Sequence, residues 1–361
     1  MSKTTYYTFR ITGDGSVGLF NHQVNDIYHS SYGAKNEAKE KFITPLNFEN
    51  NFFNKKELRI LDICYGIGYN TKSILEKIIL SGYKGKVQID ILEYDKSLVC
   101  LSPIINDGFW KNTPEVSYIL FNSLLETIIE NKSLISSVLS DEKNKQYLTP
   151  FYRELIKKYH NWGYKYNPTR SNNSFLHNIY YHCVSSRSKT HPKYQKINNF
   201  SIKPYFNDAR TTIKSLDNAY DIVFLDAFTP AKLPTLWSYD FFNELYRLTN
   251  ENSLLVTYSN SAAVRHAMCD IGFSVGKIFD KKGRASGTIA SHNPDLILNK
   301  LDEYDLGLMN TGAGVYYRDP SLSSTGNEIL LEHSIRKKEL NLESSSSYIK
   351  HFKNKGITND K

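Results

Sequence analysis

Short apolar runs alternate with stretches of helical spacing along most of the chain. Leu58 to Ile63 is an apolar run of strand length, and Thr71 to Leu80 repeats its apolar residues at helical spacing. VQIDILEYD reads as a strand ending at Glu93, and FSIKPYFNDARTTIKSL as a strand ending near Asp208 and leading into a helix. Ile222 to Leu225 is short enough for a buried strand, and Ser238 to Thr249 is helix-like. SLLVTYS is a strand, and SAAVRHAMCDIGF is a helix closed by Gly272. SVGKIF and SGTIAS read as a final hairpin across KKGRA. Strands alternating with helices predict an α/β fold. Ahead of this core, Asp14-Gly15 predicts a hairpin turn, and Ser30 or Ser31 stands where it caps a helix from Ala34 to Phe42. The division expected is a hairpin and helix segment over 1–57, a core over 58–292 interrupted at 122–199, and an extension over 293–361 with a mobile end.

Composition narrows the classes. The 361 residues exceed one typical domain, and a hydrophobic content of 40% supplies a globular core. No apolar run is long enough to span a bilayer, and MSKTTYYTFR lacks the apolar stretch of a signal peptide. Cys64, Cys100, Cys183 and Cys269 are scattered without CxxC spacing, which argues against zinc or a disulfide framework and fits a cytoplasmic protein without a metal. The net charge of +8 is unevenly placed. From Asp141 to Tyr205 twelve Lys and Arg face three Asp and Glu, a balance of +9 that leaves the remainder near −1. Trp162, Tyr164 and other aromatic residues lie among those charges. Basic residues neutralise phosphates and rings stack on exposed bases, so a nucleic-acid partner is expected, against the plainer reading of a solvated insertion.

Two strand ends carry candidate chemistry. Gly66 and Gly68 form a tight turn between a strand and a helix, which brings backbone close to a ligand at a helix N-terminus. Glu93 ends the next strand, where a nucleotide-binding sheet places a carboxylate on ribose hydroxyls. The run has no third glycine, so a nucleoside-type cofactor without phosphates is preferred to a dinucleotide. The plainer reading is an ordinary turn. Asp226 ends a later strand, and Pro230, Lys232, Pro234 and Trp237 come after it. Ligands of α/β sheets bind outside the carboxyl ends of the strands. The plainer reading there is an Asp that caps the next turn.

FLDAFTPAKLPTLW resembles a run of the MnmC-type tRNA methyltransferases through Asp226, Phe228, Pro230, Ala231, Lys232, Pro234 and Trp237. FFNELYRLTNENSLLVTYSNSAAVRHAMCDIGF resembles the next segment of those enzymes, through Phe242, Leu248, Thr257, Val264, Arg265 and Gly272-Phe273. DICYGIGYN is similar to the family's cofactor loop, with Asp62, Tyr65, Gly66, Gly68 and Asn70 in corresponding places and Cys64 replacing a glycine. YHSSYGAKNEA and GVYYRDPSL resemble flanking segments of stand-alone members. The resemblance implies a Rossmann-like class I S-adenosylmethionine-dependent methyltransferase sheet and no FAD-dependent oxidase half; it does not cover the insertion at 122–199, which is expected to be helical and basic. It implies methylation of the amine of 5-aminomethyl-2-thiouridine at the tRNA wobble position, with the anticodon arm as partner. It also implies a cofactor over Asp62, Gly66, Gly68 and Asn70, Glu93 on its ribose and Asp208 near its adenine amine. Tyr28 and Ser30 would close over its methionine end. Asp226 would be catalytic, with Phe228, Lys232 and Trp237 holding the substrate, the last two by charge and stacking; the plainer reading of Lys232 and Trp237 is a loop clip. The alternatives are an aminopropyltransferase-like enzyme, disfavoured because Asp226 stands alone among Ala227, Phe228 and Thr229, and a non-catalytic RNA-binding protein that kept the fold.

Overall fold

The computed structural model describes residues 7–22, 26–28, 32–103, 105, 113–131, 199–217 and 219–354. Ser30, Ser31, most of the basic insertion and the chain end expected to be mobile lie outside these described residues.

The N-terminal hairpin forms as expected. Strands β1 (Tyr7–Ile11) and β2 (Val17–Asn21) pair antiparallel, Gly15 takes φ 78° in the turn, and β3 (Asp26–Ile27) adds to β2. Helix α1 (Ala34–Ala38) is shorter than predicted and has Gly33 as N-cap, with no side-chain cap. Its first amides are taken by the hairpin turn instead: Ala34 N donates to Ser16 Oγ at 2.9 Å and Asn36 N to Asp14 Oδ2 at 2.8 Å. After Ala38 the chain widens into a π-helical turn, Lys39–Ile43, and a further turn of helix, α2, covers Phe48–Asn51.

The core elements come in the order β4 (Glu57–Ile63), α3 (Tyr69–Ser81), β5 (Lys86–Leu92), α4 (Lys96–Leu101), α5 (Pro114–Ser123), α6 (Leu125–Glu130), β6 (Phe200–Tyr205), α7 (Ala209–Ser215), β7 (Tyr220–Leu225), α8 (Tyr239–Leu248), β8 (Thr249–Thr257), α9 (Ala262–Ile271), β9 (Ser274–Phe279) and β10 (Ala285–Ser291). The predicted elements keep their predicted order, and three helices not predicted, α4 to α6, stand between β5 and β6. The strands form one mixed seven-stranded sheet in the order β6-β5-β4-β7-β8-β10-β9. β5 pairs parallel with β6, β7 pairs parallel with both β4 and β8, and β10 is antiparallel to β8 and β9.

The chain divides into two compact units. One comprises Met1–Lys39, Lys55–Glu57 and Tyr65–Phe206, and the other Glu40–Asn54, Leu58–Cys64 and Asn207–Lys361. In the second unit every residue of β7 is buried, as expected of a parallel strand covered on both faces. Its one charge, Asp221, accepts from Arg59 N and Asn250 Nδ2, both at 2.9 Å. Ser238 Oγ caps α8, which turns Phe241, Phe242, Leu245 and Leu248 inward, and Gly272 at φ 118° closes α9.

Two features are not foreseen from the sequence. Leu124 and Ile128 are buried, so the apolar core runs past 122 before the insertion begins. The extension contains helices α10 (Glu303–Met309), α11 (Gly326–Leu340) and α12 (Ser345–Asn354). The sequence does not announce them: Ile329 is the only buried residue of α11, which leaves no apolar period to read. Among the described residues no helix is long and apolar enough to cross a membrane.

Candidate active site

In the first unit the site grows from the turn between β4 and α3. Gly66 and Gly68 take φ 57° and 81°. A Cβ on Gly68 would fall 2.3 Å from the Tyr65 hydroxyl and 2.8 Å from Ser102 Oγ, two groups that hydrogen-bond each other at 2.7 Å. The turn is therefore closed to any side chain at Gly68. Cys64, where the family has a glycine, adopts the glycine conformation itself at φ 62°.

Glu93 comes directly after β5 and is half-buried. Its carboxylate accepts from Gly66 N at 2.8 Å and from Asp95 N at 2.9 Å. Among the described residues no cation pairs with it. Burial raises its pKa to about 7, against the lowering effect of those amides. Asp95 also caps α4 through Ser97 N and accepts from the Tyr7 hydroxyl. Tyr28 is half-buried beside this cluster, its hydroxyl held neutral by burial and by the Glu93 charge. Asn70 is buried in the first turn of α3. Tyr69 next to it accepts from Val17 N and donates to Val17 O, both at 2.9 Å, which fastens the start of α3 to the hairpin.

In the second unit Asp226 begins the loop after β7. Its N–H donates to Ile63 O at 3.2 Å, one rung beyond the paired residues of β4 and β7. The next two carbonyls are held by ring donors: Ala227 O by the Tyr258 hydroxyl and Phe228 O by Trp237 Nε1, each at 2.7 Å. The substrate-stacking role expected of Trp237 is corrected by this geometry. Its side chain is fully buried, so no ring face is left for a nucleotide, and it acts as a clip within the loop. Phe228 is half-buried and Lys232 is exposed on the loop.

Residues 171–293 match a family model described as S-adenosyl-L-methionine-dependent methyltransferase. A stretch of 70 residues is 41% identical to the tRNA 5-methylaminomethyl-2-thiouridine biosynthesis bifunctional protein MnmC of Ralstonia nicotianae, covering 19% of this chain and 11% of that protein. The structure superposes on MnmC2 of Aquifex aeolicus with a TM-score of 0.63 at 23% identity, covering 93% of this chain and 87% of that one. Over residues 171–293 the chain is thus similar to S-adenosyl-L-methionine-dependent methyltransferases, and its fold is that of MnmC2. An uncharacterized protein of Methanocaldococcus jannaschii, MJ0670, is 25% identical over 91% of this chain and 72% of its own length. The bifunctional MnmC relative is thus matched over about a tenth of its length.

The matched family depends on S-adenosyl-L-methionine, and the residues present fit that cofactor. A turn that excludes side chains, next to a carboxylate that pairs with no cation among the described residues, suits a neutral ribose diol. Two expected cofactor residues do further structural work. Asp62 is fully buried in β4, opposite Phe224 of β7. Asp208 caps α7 through Arg210 N at 2.9 Å and takes a 2.7 Å ion pair from Arg210 Nη2. Arg210 in turn reaches the fully buried Asp319 at 2.7 Å. Burial raises the Asp208 carboxyl, but the Arg210 hydrogen bonds outweigh it and hold it below the usual range.

Sequence reasoning misses Asp95, Tyr69, Arg210 and Tyr258. The Asp95 cap lies two residues from its partner and is not read, whereas the contacts of Tyr69 with Val17, Arg210 with Asp319 and Tyr258 with Ala227 are distant in sequence and leave no local pattern.

Proposed function

We propose that this chain methylates the amine of 5-aminomethyl-2-thiouridine at the wobble position of tRNA, docking the anticodon arm. The observation that carries the reading is the loop after β7: a strand-end acid on a backbone held at three successive residues, in the sequence run that resembles the MnmC family. Family model, relative and fold support the same chemistry.

S-adenosyl-L-methionine, when bound, supplies an electrophilic methyl whose thioether leaves without charge. Glu93 accepts from the ribose hydroxyls, with the turn at Gly66 and Gly68 against the nucleoside and Asp62 and Asn70 supporting that turn. Asp208 would stand near the adenine amine and Tyr28 would cover the methionine end; Ser30, expected beside it, lies outside the described residues. Asp226 accepts a hydrogen bond from the acceptor amine and fixes its direction. A carboxylate also stabilises the ammonium form, so orientation of the neutral amine is the larger part of its role. Phe228 and Lys232 hold the nucleotide by apolar contact and charge. Mass spectrometry of tRNA nucleosides from a strain lacking this chain tests the reading: 5-aminomethyl-2-thiouridine accumulates if it is right, and an unchanged nucleoside profile overturns it.

A further inference from the structure

We propose that Tyr258 is a positioning residue for methyl transfer, because its hydroxyl fixes the backbone just after Asp226 and so sets the direction of that carboxylate. The inference rests on Asp226 being the residue that meets the acceptor amine. β7 and β8 run parallel with Leu225 opposite Thr257, so Asp226 and Tyr258 each stand one residue past the same end of paired strands. From there the Tyr258 hydroxyl donates to Ala227 O at 2.7 Å. The Trp237 indole donates to Phe228 O at 2.7 Å, and the two rings meet edge to face with centroids 6.0 Å apart. Ahead of them Asp226 N is held by Ile63 O. The peptide planes before Asp226, after Ala227 and after Phe228 are therefore all fixed. The Asp226–Ala227 peptide is confined between them. A side chain on such a backbone has few directions open to it, and in-line displacement depends on direction.

The π-helical turn adds to the same support. Lys41 rides on it and places its ammonium 5.8 Å from the centre of the Tyr258 ring. π-Helical turns sit frequently at functional sites, and here the turn brings a cation to the ring that holds the loop. Tyr258 itself is half-buried, so its hydroxyl serves a backbone carbonyl at the edge of the core. A phenylalanine would keep the ring against Trp237 and remove the hydroxyl that donates to Ala227 O.

The test compares the full-length wild type with Tyr258→Phe. Single-turnover transfer from S-adenosyl-L-methionine to tRNA bearing 5-aminomethyl-2-thiouridine should slow about 10-fold to 100-fold. Calorimetric affinity for S-adenosyl-L-methionine and KM for tRNA should stay within about twofold, because the lost contact touches neither. Hydrogen exchange at the amides of Asp226 to Phe228 should quicken, and Trp237→Phe should shift rate and exchange in the same direction. Transfer at the wild-type rate with unchanged exchange overturns the proposal, as does a parallel loss of cofactor affinity. Failure of the wild type to methylate this tRNA overturns the substrate reading instead, and the exchange measurement then decides the role of Tyr258 by itself.

Discussion

Cys64 holds a left-handed backbone at φ 62° where the resembling family has glycine. The left-handed conformation costs an L-residue about 1–2 kcal/mol, partly offset because glycine loses more freedom on folding. Cys64→Gly should therefore raise the unfolding free energy by about 0.5–1 kcal/mol. Cys64→Val should lower it, since a β-branched side chain tolerates that conformation least; urea denaturation of both variants checks the pair. Glu93 gives a pH signature. Its carboxyl titrates near 7 because burial penalises the charge. Its folded pKa lies above the unfolded value, so its contribution to stability is full below the ordinary carboxylate range and is lost as pH rises through about 7. Cofactor binding runs the other way, because ribose hydroxyls need the ionised acceptor. Affinity for S-adenosyl-L-methionine should fall as pH drops below 7, by at most about tenfold per unit, and Glu93→Gln should flatten the profile and weaken binding. Calorimetry from pH 6 to 8 reads both, and an equal slope in wild type and variant would remove Glu93 from the ribose. At this scale the sequence showed the acids, because strand ends punctuate an apolar run. It offered a loop clip as the plainer reading of Trp237 but did not favour it, because the clip's partner is a backbone carbonyl that no residue type announces.

Elements with an apolar period were legible, and elements held by polar contacts were not. β4, β5, β7 and α9 lie where their patterns put them, because each buries a face whose spacing is its own signature. The cap of α1 comes from Asp14 and Ser16, about twenty positions away, so the serines next to the helix are misleading as cap residues. Burial raises the Asp14 carboxyl, but hydrogen bonds from Ser16, Asn36 and Thr12 outweigh it, which suits an anion at a helix start. The C-terminal extension is tied down in the same hidden way. Asp319 is buried and receives Arg210, and Arg318 forms a two-bond pair with Asp240 at 3.0 and 2.9 Å. Removing one partner of a buried pair strands the other charge, so Asp319→Ala should destabilise the chain by roughly 3 kcal/mol. Asp319→Asn, which keeps an acceptor for Arg210, should cost less. Equal, small effects in denaturant melts would show that the extension does not depend on this pair.

Over the whole molecule the unequal charge is the feature that composition reveals and the core does not need. The block from Asp141 to Tyr205 carries +9 while the rest is close to neutral. Most of it lies outside the described residues, so its role in docking rests on sequence alone. Reversing charge at Lys157, Lys158 and Lys165 together should weaken tRNA binding by roughly 1–3 kcal/mol and flatten the salt dependence. Binding measured at two salt concentrations decides this, and a triple variant as tight as wild type would move the docking face elsewhere. The α/β order was legible because alternating strands and helices leave a period at every step, whereas tertiary ion pairs leave none. The central claim is amine methylation. It is tested most directly by incubating the purified chain with methyl-labelled S-adenosyl-L-methionine and tRNA bearing 5-aminomethyl-2-thiouridine, then digesting to nucleosides. Label should appear in 5-methylaminomethyl-2-thiouridine and fall by about a hundredfold or more in Asp226→Ala with cofactor affinity retained. Absence of label from that nucleoside, with cofactor bound and tRNA intact, would contradict the account.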